Sequence, residues 1–176
     1  MKNLFVLVGV PGTDKSTFIQ EHLLSQLNLS TKVISRDEIR FSMIGADEEY
    51  FSHEKEVFTE FIKQIKHSLN ENTNTIVDAT HINRGSRTKL LRAIGEDLKD
   101  VSVSAIVILN DLDTILTQNG NRTGRAYVPE SAIRNMYASF SLPTLDEGFT
   151  EIMIYKNGEL KHSIINGGDW YPQEGE

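Results

Sequence analysis

The sequence predicts an α/β domain: a parallel sheet flanked by helices and closed by a short C-terminal β-hairpin. Two patterns carry that prediction. Short apolar runs alternate along the chain with segments of helical period, the order that gives parallel strands joined by covering helices. After the last of these runs, Asn157-Gly158 supplies a tight-turn dipeptide suited to a hairpin.

The strand runs are Asn3 to Val8, Lys32 to Ser35, Thr75 to Val77, Val103 to Leu109 and Glu151 to Tyr155. The clearest helix spans Ser52 to Asn70, where Val57, Phe58, Phe61, Ile62, Ile65 and Leu69 make one stripe. A second helix is expected from about Ser86 to Leu98. A third is expected to begin at Pro129, as a first-turn residue, and to run through Ile133, Met136, Tyr137 and Phe140. The 176 residues have room for one domain, expected over residues 1–165, with a loosely held tail over 166–176.

Composition removes several classes of function. Apolar residues make up 39% and charged residues 24%, which excludes fibrous and mostly disordered chains. Eighteen basic against 25 acidic residues give a net charge of −7, so the chain does not coat DNA at large, although a local basic patch suffices for an end. Cysteine is absent, which excludes disulfides and thiolate metal sites. No apolar run reaches the ~18 residues of a membrane span, and the N-terminal run is too short for a signal peptide. A cytoplasmic protein with no membrane partner is expected.

The first strand run leads directly into Gly9-Val10-Pro11-Gly12-Thr13-Asp14-Lys15-Ser16-Thr17, which fits the phosphate loop G-x-x-x-x-G-K-[ST] in all but one position. Strand, loop and helix are the context that the motif requires. Loop N–H groups and a helix N-terminus offer positive partial charge to phosphates. Lys15 would reach the outer phosphates of a nucleotide and Ser16 would ligate Mg²⁺, so the sheet is expected to be of the P-loop NTPase type. Gly9, Gly12, Thr13, Asp14 and Thr17 complete the expected nucleotide site. Asp14 stands beside Lys15 where the loop favours glycine, which tolerates positive φ and adds no charge near phosphate. A carboxylate ~5 Å from phosphate, at an effective dielectric near 20, costs on the order of 3 kcal/mol. Three readings of Asp14 stand side by side: an outward-pointing residue, a weakened kinase, or a loss of function.

Further candidates sit where strands end, the ligand side of an open α/β sheet. Asp37 follows the second strand and is placed to accept a proton from a hydroxyl. Arg40, one helical turn later, is placed to bind a substrate phosphate. Asp78 ends the third strand run and is placed to act on Mg²⁺. Thr80, Asn83 and Arg87 follow; the last two either line the substrate groove or merely cap and decorate the next helix. Gln118 to Arg125, polar and glycine-containing, reads as a mobile lid whose Arg122 and Arg125 come down on phosphoryl oxygens. Asp111 to Thr114 falls one residue short of an aspartyl phosphatase motif. His53-Glu54 lacks the second histidine of a zinc helix, since Val57 stands in its place. The aromatic residues read as core rather than as base-stacking surfaces.

GVPGTDKST, SRDEIR, IVDATHIN, NRTGRAYVP and PTLDEGFTEI occur in an order that resembles the polynucleotide 5′-hydroxyl kinase family, in particular the kinase module of the T-even phage polynucleotide kinases. The resemblance covers about Leu4 to Tyr155. It implies transfer of the γ-phosphoryl of ATP to a 5′-hydroxyl end of DNA or RNA, for end healing. By position it implies Lys15 and Ser16 on ATP and Mg²⁺, Asp37 as general base and Arg40 on the phosphate 3′ to the accepting nucleoside. It also implies Asp78 in the substrate and metal network and Arg122 as the lid arginine. Besides Asp14, two features depart from the pattern. Gln118 stands where related lids often carry arginine. The phosphatase domain that follows the kinase in the phage enzymes is missing; if the chain is complete, 3′-end healing is expected from another protein. Two rivals remain at this level: a small-molecule kinase on the same scaffold, and a non-catalytic nucleotide- or nucleic-acid-binding module.

Overall fold

The computed structural model describes residues 2–27, 30–166 and 168–170. Among the described residues, seven strands form one sheet in the order β2-β3-β1-β4-β5-β6-β7. The strands are β1 (Lys2–Val8), β2 (Thr31–Ser35), β3 (Asn74–Asp78), β4 (Val101–Leu109), β5 (Glu151–Lys156), β6 (Glu159–Ile165) and β7 (Gly168–Trp170). The first five are parallel, and Val6 of β1 lies between Val77 of β3 and Ala105 of β4. β6 returns antiparallel, turned by Asn157 and Gly158, both at positive φ (54° and 79°). The paired positive φ values are the reason the dipeptide is there. β7 adds a further antiparallel strand over part of the expected tail; residues 167 and 171–176 lie outside the described residues.

Alternation along β1 divides the core. Leu4, Val6 and Val8 face α4 (Glu54–Asn70) and α5 (Arg84–Ile94), while Leu7 faces Phe18, Ile19 and Leu23 behind the phosphate loop. Those last three lie on a helical run that opens as α1 (Lys15–Phe18), widens into a π-helical turn over Ile19–Leu23 and closes as α2 (Leu24–Gln26). A third cluster, Val10, Ile82, Ile115 and Ile133, ties the loop to α6 (Leu112–Gly120) and α7 (Glu130–Ala138).

Several boundaries differ from expectation for local reasons. The second helix starts at Arg84 because Asn83 Oδ1 accepts Ser86 N at 2.9 Å, and after Ile94 it tightens into a 3₁₀ turn over Gly95–Leu98. Pro129 precedes α7 as its N-cap, and the helix stops at Ala138, two residues before Phe140. Gln118 to Gly120 form the last turn of α6 rather than loop. Asn119 explains the difference. It is buried, its Nδ2 donates to Val128 O at 2.7 Å, and its Oδ1 accepts Val128 N at 3.0 Å. The segment between is therefore stapled at both ends. Among the described residues, no helix is long and apolar enough to cross a membrane.

Candidate phosphoryl-transfer site

The carboxyl ends of β1, β2 and β3 bring the expected residues to one edge of the sheet. The phosphate loop is held from within. A Cβ on Gly9 would lie 2.9 Å from Thr13 Oγ1 and 3.1 Å from Ile108 O. Gly12 has φ +93°, and a Cβ there would lie 2.7 Å from Ile115 O. Thr13 is buried and its hydroxyl donates to Val10 O at 2.9 Å, so it braces the loop. Thr80 acts through its backbone, its carbonyl accepting Gly9 N at 2.9 Å. Ser16 and Thr17 are exposed in the first helical turn.

Lys15 folds back over the loop, its Nζ donating to Gly9 O at 3.1 Å and Val10 O at 3.3 Å. Burial lowers its pKa to about 8, against the pull of Asp78; Arg122 lowers it further, while Asp37 and Asp14 oppose the shift. These charges therefore share one electrostatic neighbourhood. Burial also raises the Asp78 carboxyl, with Lys15 opposing and Asp37 adding to the rise. Asp14, the N-cap of α1, occupies the left-handed region (φ 55°, ψ 40°), is exposed and makes no side-chain cap hydrogen bond.

Ser35 caps α3 (Arg36–Met43), its Oγ accepting Glu38 N at 3.3 Å, and this turn presents Asp37 and Arg40. Arg40 is buried. Its Nη1 bonds Asp37 Oδ1 and donates to Tyr50 Oη at 2.6 Å, and its Nη2 donates to Glu54 Oε2 at 2.9 Å. Tyr50 also donates to Asp37 Oδ1, and burial and that carboxylate raise its pKa, so the phenol stays protonated. Glu54 receives Arg36 as well. Arg40 Nε is buried without a hydrogen-bond partner. Sequence reasoning missed Tyr50 and Glu54, which no motif marks; a tyrosine and a glutamate flanking a loop carry no spacing signal.

From the lid, Arg122 is half-buried and within electrostatic reach of Lys15 and Asp78. Arg125 is exposed; it stacks 5.3 Å from the Phe41 ring centroid and donates to Phe41 O at 3.5 Å, so it lies against α3. Gln118 keeps a buried Oε1 without a hydrogen-bond partner.

Arg87 is the one correction among the site candidates. Its side chain is fully buried and does not line a groove. Nε and Nη2 pair with Glu147 at 2.7 and 2.9 Å, and Nη1 donates to His81 O and Ser141 O at 3.0 and 2.9 Å. The fork-shaped guanidinium satisfies carbonyls of a chain segment that has no regular ladder of its own. His81 beside it is buried at positive φ (43°), its ring bonded to Leu7 O, and burial lowers its pKa to about 4. The two dismissed motifs are occupied structurally: Asp111 pairs with Lys156 at 3.0 Å and His53 with Glu48 at 2.8 Å.

The groups present fit a nucleotide and its metal. The loop is tight only with glycines at positions 9 and 12, and Lys15 carries its ammonium onto the loop. Ser16 and Asp78 are hard oxygen donors of the type Mg²⁺ takes, which draws its other ligands from phosphate and water.

Comparison with solved structures finds the same fold in several chains. A chain of the Pnkp1/Rnl/Hen1 RNA repair complex aligns with TM-score 0.59 and 23% identity over 78% of this chain and 43% of that one. A sugar kinase from Janibacter sp. HTCC2649 aligns with TM-score 0.59 and 15% identity, over 89% and 86%. Chaetomium thermophilum Kti12 in complex with ADP-AlF3 aligns with TM-score 0.64 and 15% identity, over 88% and 89%. The chain spans less than half the length of the RNA-repair chains it matches. No curated protein matches at a significant level. Residues 4–143 match the family model described as AAA domain (AAA_33), and with the phosphate loop, the strand order and the strand-end carboxylates this places the chain in that family, as a P-loop domain of the kinase type.

Proposed function

We propose that this chain transfers the γ-phosphoryl group of ATP to a 5′-hydroxyl end of DNA or RNA. The observation that carries the reading is the charge cluster of Lys15, Asp37 and Asp78 beyond the ends of β1 to β3, joined by Arg122 from the segment after α6, with Arg40 one turn from Asp37. Lys15 and the loop N–H groups hold the triphosphate; Ser16 and Asp78 would hold Mg²⁺, which would offset phosphate charge. Asp37 accepts the proton of the acceptor hydroxyl. The freed oxygen bonds to the γ-phosphorus as the bond to the β–γ bridging oxygen breaks, and ADP leaves. Arg122 and Lys15 stabilise charge on the transferring group. Arg125 binds nucleotide phosphate once it leaves Phe41. Thr80 borders the acceptor side through its link to Gly9.

One observation favours a small neutral acceptor instead. Arg40 is already compensated by Asp37 and Glu54, and a sugar kinase shares the fold. The test is transfer of labelled phosphate from ATP with Mg²⁺ to a short 5′-hydroxyl oligonucleotide, beside free sugars, by the chain and by Asp37→Asn. Labelled oligonucleotide that disappears with Asp37→Asn supports the proposal. Labelled sugar alone overturns it.

A further inference from the structure

The loop between α3 and α4 carries two aromatic residues that the core leaves outside. Tyr50 is 39% exposed and Phe51 68%. They are not scattered. Their rings meet edge to face at 4.7 Å, Tyr50 meets Phe41 at 6.1 Å, and the Arg40 guanidinium lies 4.1 Å from the Tyr50 ring. The same tyrosine donates its hydroxyl to Asp37 Oδ1. An exposed aromatic surface is thus fixed one side chain away from the candidate base.

From this we infer that Tyr50 and Phe51 form a shelf on which the base of the terminal acceptor nucleoside stacks. The inference rests on the 5′-hydroxyl kinase reading and names what its acceptor site recognises. Asp37 Oδ1 is taken by Tyr50 and Arg40, which leaves Oδ2 to receive the acceptor hydroxyl. A hydroxyl held there brings the ring system attached to it over the neighbouring aromatic side chains. Stacking suits this position because every base has a π-face, so the shelf selects a base without selecting a sequence. Asp47, Glu48 and Glu49 precede the shelf and are exposed. Their charge opposes a long phosphate track on this side, so recognition concentrates on the terminal nucleoside rather than on the backbone.

The experiment compares two acceptors with the full chain: a short oligonucleotide with an ordinary 5′-terminal base, and the same oligonucleotide with an abasic 5′-terminal residue, both ending in a free 5′-hydroxyl. The intact end is expected to exceed the abasic end in kcat/KM by roughly ten- to a hundredfold. Phe51→Ala is expected to collapse that ratio toward one, and Phe51→Trp to restore it. Phe51 is exposed enough that neither change removes core. A ratio near one in the unaltered chain, or a ratio that Phe51→Ala leaves standing, overturns the shelf while the kinase reading survives. Transfer to neither oligonucleotide overturns the kinase reading, and the shelf with it.

Discussion

Replacing Asp14 separates charge from backbone geometry at the phosphate loop. At full strength, a carboxylate ~5 Å from phosphate costs on the order of 3 kcal/mol. The structure lowers that figure. Asp14 is exposed, its side chain makes no cap hydrogen bond, and it pulls on the neighbouring Lys15 less than Asp78 and Asp37 do. In a setting close to bulk water the same separation costs about 1 kcal/mol, and salt screens it further. Asp14→Gly and Asp14→Asn are therefore both expected to tighten Mg·ATP binding about fivefold at low salt, with the gain shrinking at high salt. Asparagine is the informative partner, because it tolerates the left-handed backbone without the charge. The assay is calorimetric titration of Mg·ATP at two ionic strengths. A gain for glycine but not asparagine would show that the backbone, not the carboxylate, limits binding. Unchanged affinity in both variants would refute the electrostatic argument.

Lys15→Met is expected to abolish nucleotide binding and yet stabilise the free protein. Lowering the Lys15 pKa from 10.5 to about 8 corresponds to about 3 kcal/mol at most, by the cost of 1.36 kcal/mol per unit. The cost is fully present below pH 8, where the group is charged both folded and unfolded, and fades as pH rises toward 10.5. Urea denaturation of both proteins at pH 7 and pH 9.5 should show the gap narrowing, and a constant gap would sink the assignment. Glu147→Ala strands the fully buried Arg87 and is expected to cost 3–5 kcal/mol, read as a lower denaturation midpoint. Asn119→Leu removes both bonds to Val128; stability should fall by about 1–3 kcal/mol, and kcat should fall more than the KM for ATP rises as Arg122 loses its fixed position. An unchanged kcat would show that the staple does not position the lid.

What the sequence determined by itself was set by short-range rules. The parallel strands, the phosphate loop, the long helix over Glu54–Asn70 and the Asn157-Gly158 turn each follow from periodicity or from the backbone demands of a few adjacent residues. Lys15, Asp37 and Asp78 were legible because strand ends are where such sheets bind ligands. Tertiary structure decided what depends on partners far along the chain. Arg87 lies on a helix start and looks available, yet Glu147, sixty positions on, draws it into the core. Asn119 sits in the last turn of α6, held there by Val128, nine positions on. Tyr50 and Glu54 join Asp37 and Arg40 because α3 and α4 pack together, and no local spacing encodes that meeting. A side chain's chemistry can be read from its own position, but its accessibility depends on which distant groups fold onto it.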